Sequence, residues 1–301
     1  MVSGVLPSGA LVALATPVTA DGTLDEAGLD RLVDRVVAGG VVGIAPVGST
    51  GEGPRLTRTQ RLAVTRRVAA QAGGLPVISG VPVVAVQDAI EELDQVGRLG
   101  ARAALVAPPS FFPMTDDEIV RLYTRLADES PVPLVLYNIP AFSHAPLKVD
   151  VVARLMHHPN IAGIKDSSRD LEYLQSVLTV ARSSRDDFAV YTGTDTMLVA
   201  SALAGADGAI AASANLVPQL GARILELMSS DLDRALELQR ELTAVVSACR
   251  KGSPPAGWKA ALHLVGVCSP YLVPPASDLT DAMLDQLRRD LRATGLPDFD
   301  A

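Results

Sequence analysis

A lysine closes the apolar run "IAGIK" (161–165), a tyrosine stands near the end of "PLVLYN" (133–138), and a serine and a threonine sit between glycines in "GSTGE" (48–52). An ammonium group is costly to take out of water and most lysines are exposed, so Lys165 alone could simply begin a surface loop. Desolvation disfavours an ammonium ion, however, and a lysine walled by apolar groups has more free amine to attack a carbonyl carbon and form an imine. Making and breaking an imine moves protons, which a phenol such as Tyr137 can carry with help from a hydroxyl such as Ser49. The imine is an electron sink. It can make or break a carbon–carbon bond beside it, or eliminate water. Glycine-flanked N–H groups and the hydroxyls of Ser49 and Thr50 suit a small carboxylate, although the same residues in isolation would equally make a polar turn.

A repeated rhythm of strand and helix would bring these groups together. Short runs rich in Val, Ile, Ala and Leu recur at residues 10–18, 41–48, 76–81, 103–109, 133–138, 161–165, 188–193 and 207–212. Between them lie amphipathic segments such as "LDEAGLDRLVDRVVAG" and "LTRTQRLAVTRRVAAQAG", which open near a capping Asp or Thr and close on glycine. Eight such units predict an α/β fold, a closed (β/α)8 TIM barrel over residues 1–230. A doubly wound sheet is the rival, but no GxGxxG opens a helix after the first strand. Over residues 231–301 the strand signal stops, and "DRALELQRELTAVVSACRKG", "AGWKAALHLVGV" and "LTDAMLDQLRRDLRATG" predict a C-terminal helical region. The active site of such a barrel lies at the C-terminal ends of its strands. Those ends carry "GSTGE", "PPSFF" (108–112), "YNIP" (137–140), Lys165 and "GTD" (193–195), with Tyr137 and Lys165 on adjacent strands.

Composition narrows the partners. The chain of 301 residues is 48% hydrophobic and 20% charged, enough for a large core. Its 26 basic and 34 acidic residues give a net charge of −8, with no basic run to follow a phosphate backbone, which argues against nucleic acid. The N-terminal stretch is uncharged but interrupted by prolines and glycines, so neither a membrane span nor a signal peptide is expected and a cytoplasmic location is. Cys249 and Cys268 form no CxxC, and His144, His157, His158 and His263 show no HxH or HxxxH spacing. No metal and no cofactor are expected.

The "TPV" ending the first run, "GSTGE", "YNIP", the 28 residues from Tyr137 to Lys165, "GIKDSS", the "GTD" turn and "GADGAIAASANLVP" form a set of landmarks. The set resembles the dihydrodipicolinate synthase and N-acetylneuraminate lyase family of class I, Schiff-base pyruvate aldolases. The resemblance implies a (β/α)8 barrel with a C-terminal helical region, commonly assembled as a homotetramer built from dimers. It implies Lys165 as the Schiff-base lysine, Tyr137 as general acid and base at the pyruvate carbonyl, and Ser49 and Thr50 as holders of the pyruvate carboxylate, Ser49 replacing the threonine usual in the synthases. The main-chain carbonyl of Ile210 would face the reacting centre. Gly193 and Asp195 would contact substrate hydroxyls, as in the sugar-acid lyases.

Two departures bear on the substrate. The synthases carry an arginine two residues after the "YN-x-P" proline, where this chain has Phe142, and a tyrosine pair after the fourth strand, where it has Ser110 and Phe111. Phe142 cannot grip a carboxylate and Phe111 cannot relay a proton. The expected function is a Schiff-base, pyruvate-dependent aldolase or hydro-lyase acting on a 2-keto-3-deoxy sugar acid or a similar 2-oxo acid. Its partners would be small 2-oxo acids and aldehydes, and the protein a homo-oligomer, tetramer or dimer. The alternatives are 4-hydroxy-tetrahydrodipicolinate synthase, which joins pyruvate to aspartate semialdehyde, and a catalytically weak barrel that binds a keto acid. A phosphate-binding barrel enzyme is a third.

Overall fold

The structure is a computed structural model and describes residues 6–299. Its strands are β1 (Gly9–Ala13), β2 (Gly43–Ala45), β3 (Ile78–Gly80), β4 (Ala103–Val106), β5 (Leu134–Asn138), β6 (Ile161–Asp166), β7 (Ala189–Thr192) and β8 (Gly208–Ala211). They form one parallel sheet in the order β2-β1-β8-β7-β6-β5-β4-β3. The ring closes between β2 and β3 through a single parallel bridge, Ile44 to Val77. The amides at that seam include Ile44 N–H, on the Pro76 carbonyl, and Gly80 N–H, on the Pro46 carbonyl, each at 3.0 Å. The (β/α)8 barrel expected from the run spacing is the fold observed.

Helices α1 (Glu26–Ala38), α2 (Arg58–Gln71), α3 (Val86–Arg98) and α4 (Asp116–Glu129) follow β1 to β4. The short α5 (Pro140–Ser143) and α6 (Val149–Leu155) follow β5, and α7 (Leu171–Ser184), α8 (Leu198–Leu203) and α9 (Pro218–Leu227) follow β6 to β8. Their starts are set locally. Thr57 with Gln60 and Thr115 with Glu118 form reciprocal capping boxes at α2 and α4, and Asp25 accepts from Gly28 N–H at α1. The longer helices turn an apolar face to the sheet, as α3 does with Ala89, Ile90, Leu93 and Val96.

Three further helices, α10 (Leu232–Cys249), α11 (Ala256–Leu264) and α12 (Asp281–Arg292), make up the C-terminal region. Leu242 of α10, Leu262 of α11 and Leu287 of α12 share one apolar cluster with Val12 of β1, Leu29 of α1 and Leu220 of α9, so this region packs directly on the barrel. The barrel lumen is a separate cluster that includes Leu11, Ile78, Val135, Tyr191 and Ile210. No helix among the described residues is long and apolar enough to cross a membrane.

Strand ends differ from the apolar runs for backbone reasons. The run over residues 41–48 predicts a long second strand, yet β2 stops at Ala45, because Pro46 has no N–H for the ladder and Val47 turns into the left-handed region at φ 50. The early stop frees residues 46–52 to form a loop at the barrel mouth.

Candidate active site

The site starts from strand register. β5 and β6 pair Tyr137 with Lys165 and Asn138 with Asp166, and β6 and β7 pair Lys165 with Tyr191. Successive strand side chains point to opposite faces. Val135, Tyr137 and Tyr191 therefore face the lumen, while Leu134, Leu136 and Ile164 pack among the outer helices. The same alternation sends Lys165 inward and Asp166 outward. There Asp166 Oδ1 accepts from Asn138 Nδ2 at 2.7 Å and from Ser168 N–H at 3.2 Å, and Oδ2 accepts from Ser168 Oγ at 2.9 Å. Asn138 Oδ1 accepts in turn from Leu147 N–H at 3.0 Å. Burial pushes the Asp166 carboxyl above its ordinary value, opposed by the hydrogen bonds from Asn138 and Ser168. This outer lock joins the two strand ends whose inner side chains are Tyr137 and Lys165.

Lys165 is 4% exposed, and its Nζ lies 4.4 Å from the centroid of the Tyr137 ring. The negative face of an aromatic ring attracts a cation there and fixes the side chain's direction. The Tyr137 hydroxyl stands 3.3 Å from Ser49 Oγ, a long hydrogen bond that connects the phenol to the loop after β2. Gly193 makes room for the lysine: a β-carbon at that position would stand 2.7 Å from Lys165 Cε and closer still to Ser167 Oγ.

The loop carrying Ser49 and Thr50 is strained and then pinned. Val47 (φ 50) and Glu52 (φ 54) both adopt left-handed backbone, at a cost of about 1–2 kcal/mol each for residues with a β-carbon. Gly53 lets the loop fold on itself, since a β-carbon there would run into the Val47 carbonyl. The fully buried Glu52 carboxylate is the pin. Its Oε1 accepts from Lys259 Nζ at 2.8 Å, and its Oε2 from Val273 N–H at 3.0 Å and Arg55 Nη1 at 3.1 Å. Lys259, on α11, is itself fully buried; desolvation pushes it below its ordinary value, and Glu52 pulls it back up. The C-terminal helices thus hold the loop at the mouth of the barrel.

A cavity of about 370 Å³ opens beside these groups, with Ser49, Tyr137, Arg55, Ser110 and Phe142 in its wall. Lys165 is not itself in that wall, but its Nζ lies over the ring of Tyr137, which is. Thr50 is half-buried beside Ser49. Phe111 is 86% exposed, meets Phe112 edge-on at 4.8 Å and lies outside the cavity wall. Asp195 Oδ1 accepts from Ser213 N–H at 2.6 Å and so ties the turn after β7 to the one after β8. Ile210 packs in the lumen with Tyr137 and Tyr191. Among the described residues no three His, Cys, Asp or Glu side chains are grouped to hold a metal ion.

Residues 6–294 match the model of the dihydrodipicolinate synthetase family. The chain belongs to that family. The 4-hydroxy-tetrahydrodipicolinate synthase of Acidiphilium cryptum (strain JF-5) is 34% identical over 292 residues, covering 96% of this chain and 98% of its own. Among solved structures, YagE from E. coli K12 is a prophage protein of the dihydrodipicolinic acid synthase family in complex with pyruvate. It matches with a TM-score of 0.92 at 29% identity, over 96% of this chain and 99% of its own. The chloride-inhibited dihydrodipicolinate synthase of Acinetobacter baumannii, complexed with pyruvate, gives 0.91 at 29% identity over the same shares, 96% and 99%. The names of these members favour the synthase over the sugar-acid reading drawn from Phe142 and Phe111.

Within this dihydrodipicolinate synthetase family member, several residues around the site escape the sequence reading. Asn138 and Asp166 follow Tyr137 and Lys165 at the same spacing of 28, which is their signal. Lys259 lies in the apolar stretch "GWKAALHL", the same signature that singles out Lys165. Arg55 has no such signal, because an arginine before a helix reads as a surface residue.

Proposed function

We propose that this chain forms an imine between Lys165 and pyruvate and uses it to make or break a carbon–carbon bond to an aldehyde. The observation carrying this reading is the buried Lys165 amine 4.4 Å above the Tyr137 ring, with Ser49 within 3.3 Å of the phenol. The amine adds to the ketone carbon of pyruvate, and the carbinolamine loses water once its hydroxyl is protonated. Tyr137 gives that proton and takes one back, with Ser49 as its outer partner. Loss of a methyl proton yields an enamine whose carbon attacks the aldehyde; water then hydrolyses the product imine and returns the amine. Ser49 and Thr50 hold the pyruvate carboxylate, the Ile210 carbonyl faces the reacting centre, and Asp195 keeps its Oδ2 for a substrate hydroxyl.

Of the two named activities, 4-hydroxy-tetrahydrodipicolinate synthesis from pyruvate and aspartate semialdehyde has the broader support, through the relatives' names. Action on a 2-keto-3-deoxy sugar acid is favoured by Phe142 in the cavity wall, at the position of the synthases' arginine. Pyruvate and borohydride should leave one reduced pyruvyl group on Lys165, read by peptide mass mapping. An adduct elsewhere, or none in folded protein, removes the mechanism. The ratio of kcat/KM for aspartate semialdehyde to that for glyceraldehyde, each with pyruvate, decides between the activities. A homo-oligomer is part of the same proposal, with the exposed Phe111 and Phe112 as surface to cover; light scattering that finds a monomer alone would remove it.

A further inference from the structure

The cavity beside Tyr137 is walled largely by apolar groups, among them Val81, Val83, Pro108 and Phe142, yet among the described residues in its wall there is one available cation. Two charged residues line it, Glu52 and Arg55. Glu52 offers nothing to a ligand, because its carboxylate is fully buried and both oxygens are engaged. Its charge is matched by Lys259, equally buried, which leaves the Arg55 guanidinium as surplus positive charge at the cavity edge. Asp278 also acts on Lys259, but it is exposed and accepts from Leu272 N–H.

Arg55 is held without being used up. Its side chain is 36% exposed, and Nη1 donates to Glu52 Oε2 at 3.1 Å and more weakly to the Pro254 carbonyl at 3.5 Å. Its Nε and Nη2 groups have no protein partner among the described residues. A guanidinium fixed at one nitrogen with others free is a preorganised fork for a carboxylate. The geometry points to Arg55 as the residue that binds the carboxylate of the second substrate, so that the aldehyde accepted here carries an acid group of its own despite Phe142. This rests on the reading of Lys165 as the pyruvate-imine lysine.

The test uses the full chain with pyruvate and two aldehydes that differ only in the acid group, 4-oxobutanoate and butanal. The wild type is expected to prefer 4-oxobutanoate in kcat/KM by on the order of tenfold to a hundredfold, the usual worth of a charge-assisted contact, and to lose part of that preference as salt is raised. Arg55→Leu should collapse the ratio of the two kcat/KM values, mainly by raising KM for 4-oxobutanoate more than for butanal, over and above any effect common to both aldehydes from the lost bond to Glu52, and Arg55→Lys should restore part of that ratio. A variant that slows both aldehydes equally, or a wild type indifferent to the acid group, overturns the role of Arg55 while leaving the imine standing. Absence of any adduct on Lys165 overturns the imine reading and this inference with it.

Discussion

At the scale of single residues, the site depends on one ring doing two jobs. The face of Tyr137 orients Lys165 and its hydroxyl meets Ser49. Tyr137→Phe separates the jobs: the ring stays over the amine while the proposed proton carrier is lost. Turnover should fall about 10²- to 10⁴-fold, with pyruvate affinity little changed, as steady-state kinetics would show. Gly193→Ala attacks the lysine instead, through a β-carbon 2.7 Å from Cε. Overpacking costs about 1–3 kcal/mol and displacement of the reacting atom about a hundredfold, so borohydride trapping should slow strongly with a modest loss of Tm; an unchanged trapping rate would show that the space is not critical. Lys165, Tyr137 and Ser49 are legible in the sequence because each ends an apolar run or sits between glycines. Arg55 is not, because its meaning comes from Glu52 and Lys259, and the latter lies some two hundred residues away in the chain.

At the scale of elements, β5 and β6 act as a pair whose inner residues carry the proposed chemistry and whose outer residues set the register. The Asp166 carboxyl is raised by burial, so the folded chain holds this proton more tightly than the unfolded one. Its contribution to stability is fully present below 3.8 and is lost as pH rises through the folded value. Asp166→Asn removes that loss and can still satisfy Asn138 and Ser168, since an amide accepts from Asn138 and Ser168 N–H and donates to Ser168 Oγ. The difference in Tm between variant and wild type should move in the variant's favour as pH is raised from the acid side toward neutrality. A constant difference would mean that Asp166 does not titrate in this way. The eight-unit rhythm is legible because it reflects burial on both faces of each strand. The element ends are less so, since Pro46 and the left-handed Val47 cut β2 short within a run that stays apolar.

At the scale of the whole molecule, the C-terminal helices reach the barrel mouth through Lys259 and Glu52. Breaking a buried pair on one side is far worse than replacing both partners. Lys259→Met should cost about 3–5 kcal/mol in chemical denaturation and raise the KM for pyruvate, because the loop bearing Ser49 loses its pin. Adding Glu52→Gln to it should recover much of the stability; no recovery would show that the charge is not what matters. The barrel's own closure is uneven. β5 and β6 share a ladder of five paired residues, whereas β2 and β3 share one bridge. Regions with few hydrogen bonds open at lower free energy than the global transition. Under native conditions the amides of Ile44 and Gly80 should therefore exchange with deuterium ahead of those in the β5–β6 ladder. Gly80 and the loop after β2 both border the cavity, so a molecule seated there would slow that exchange and report its own binding without any turnover.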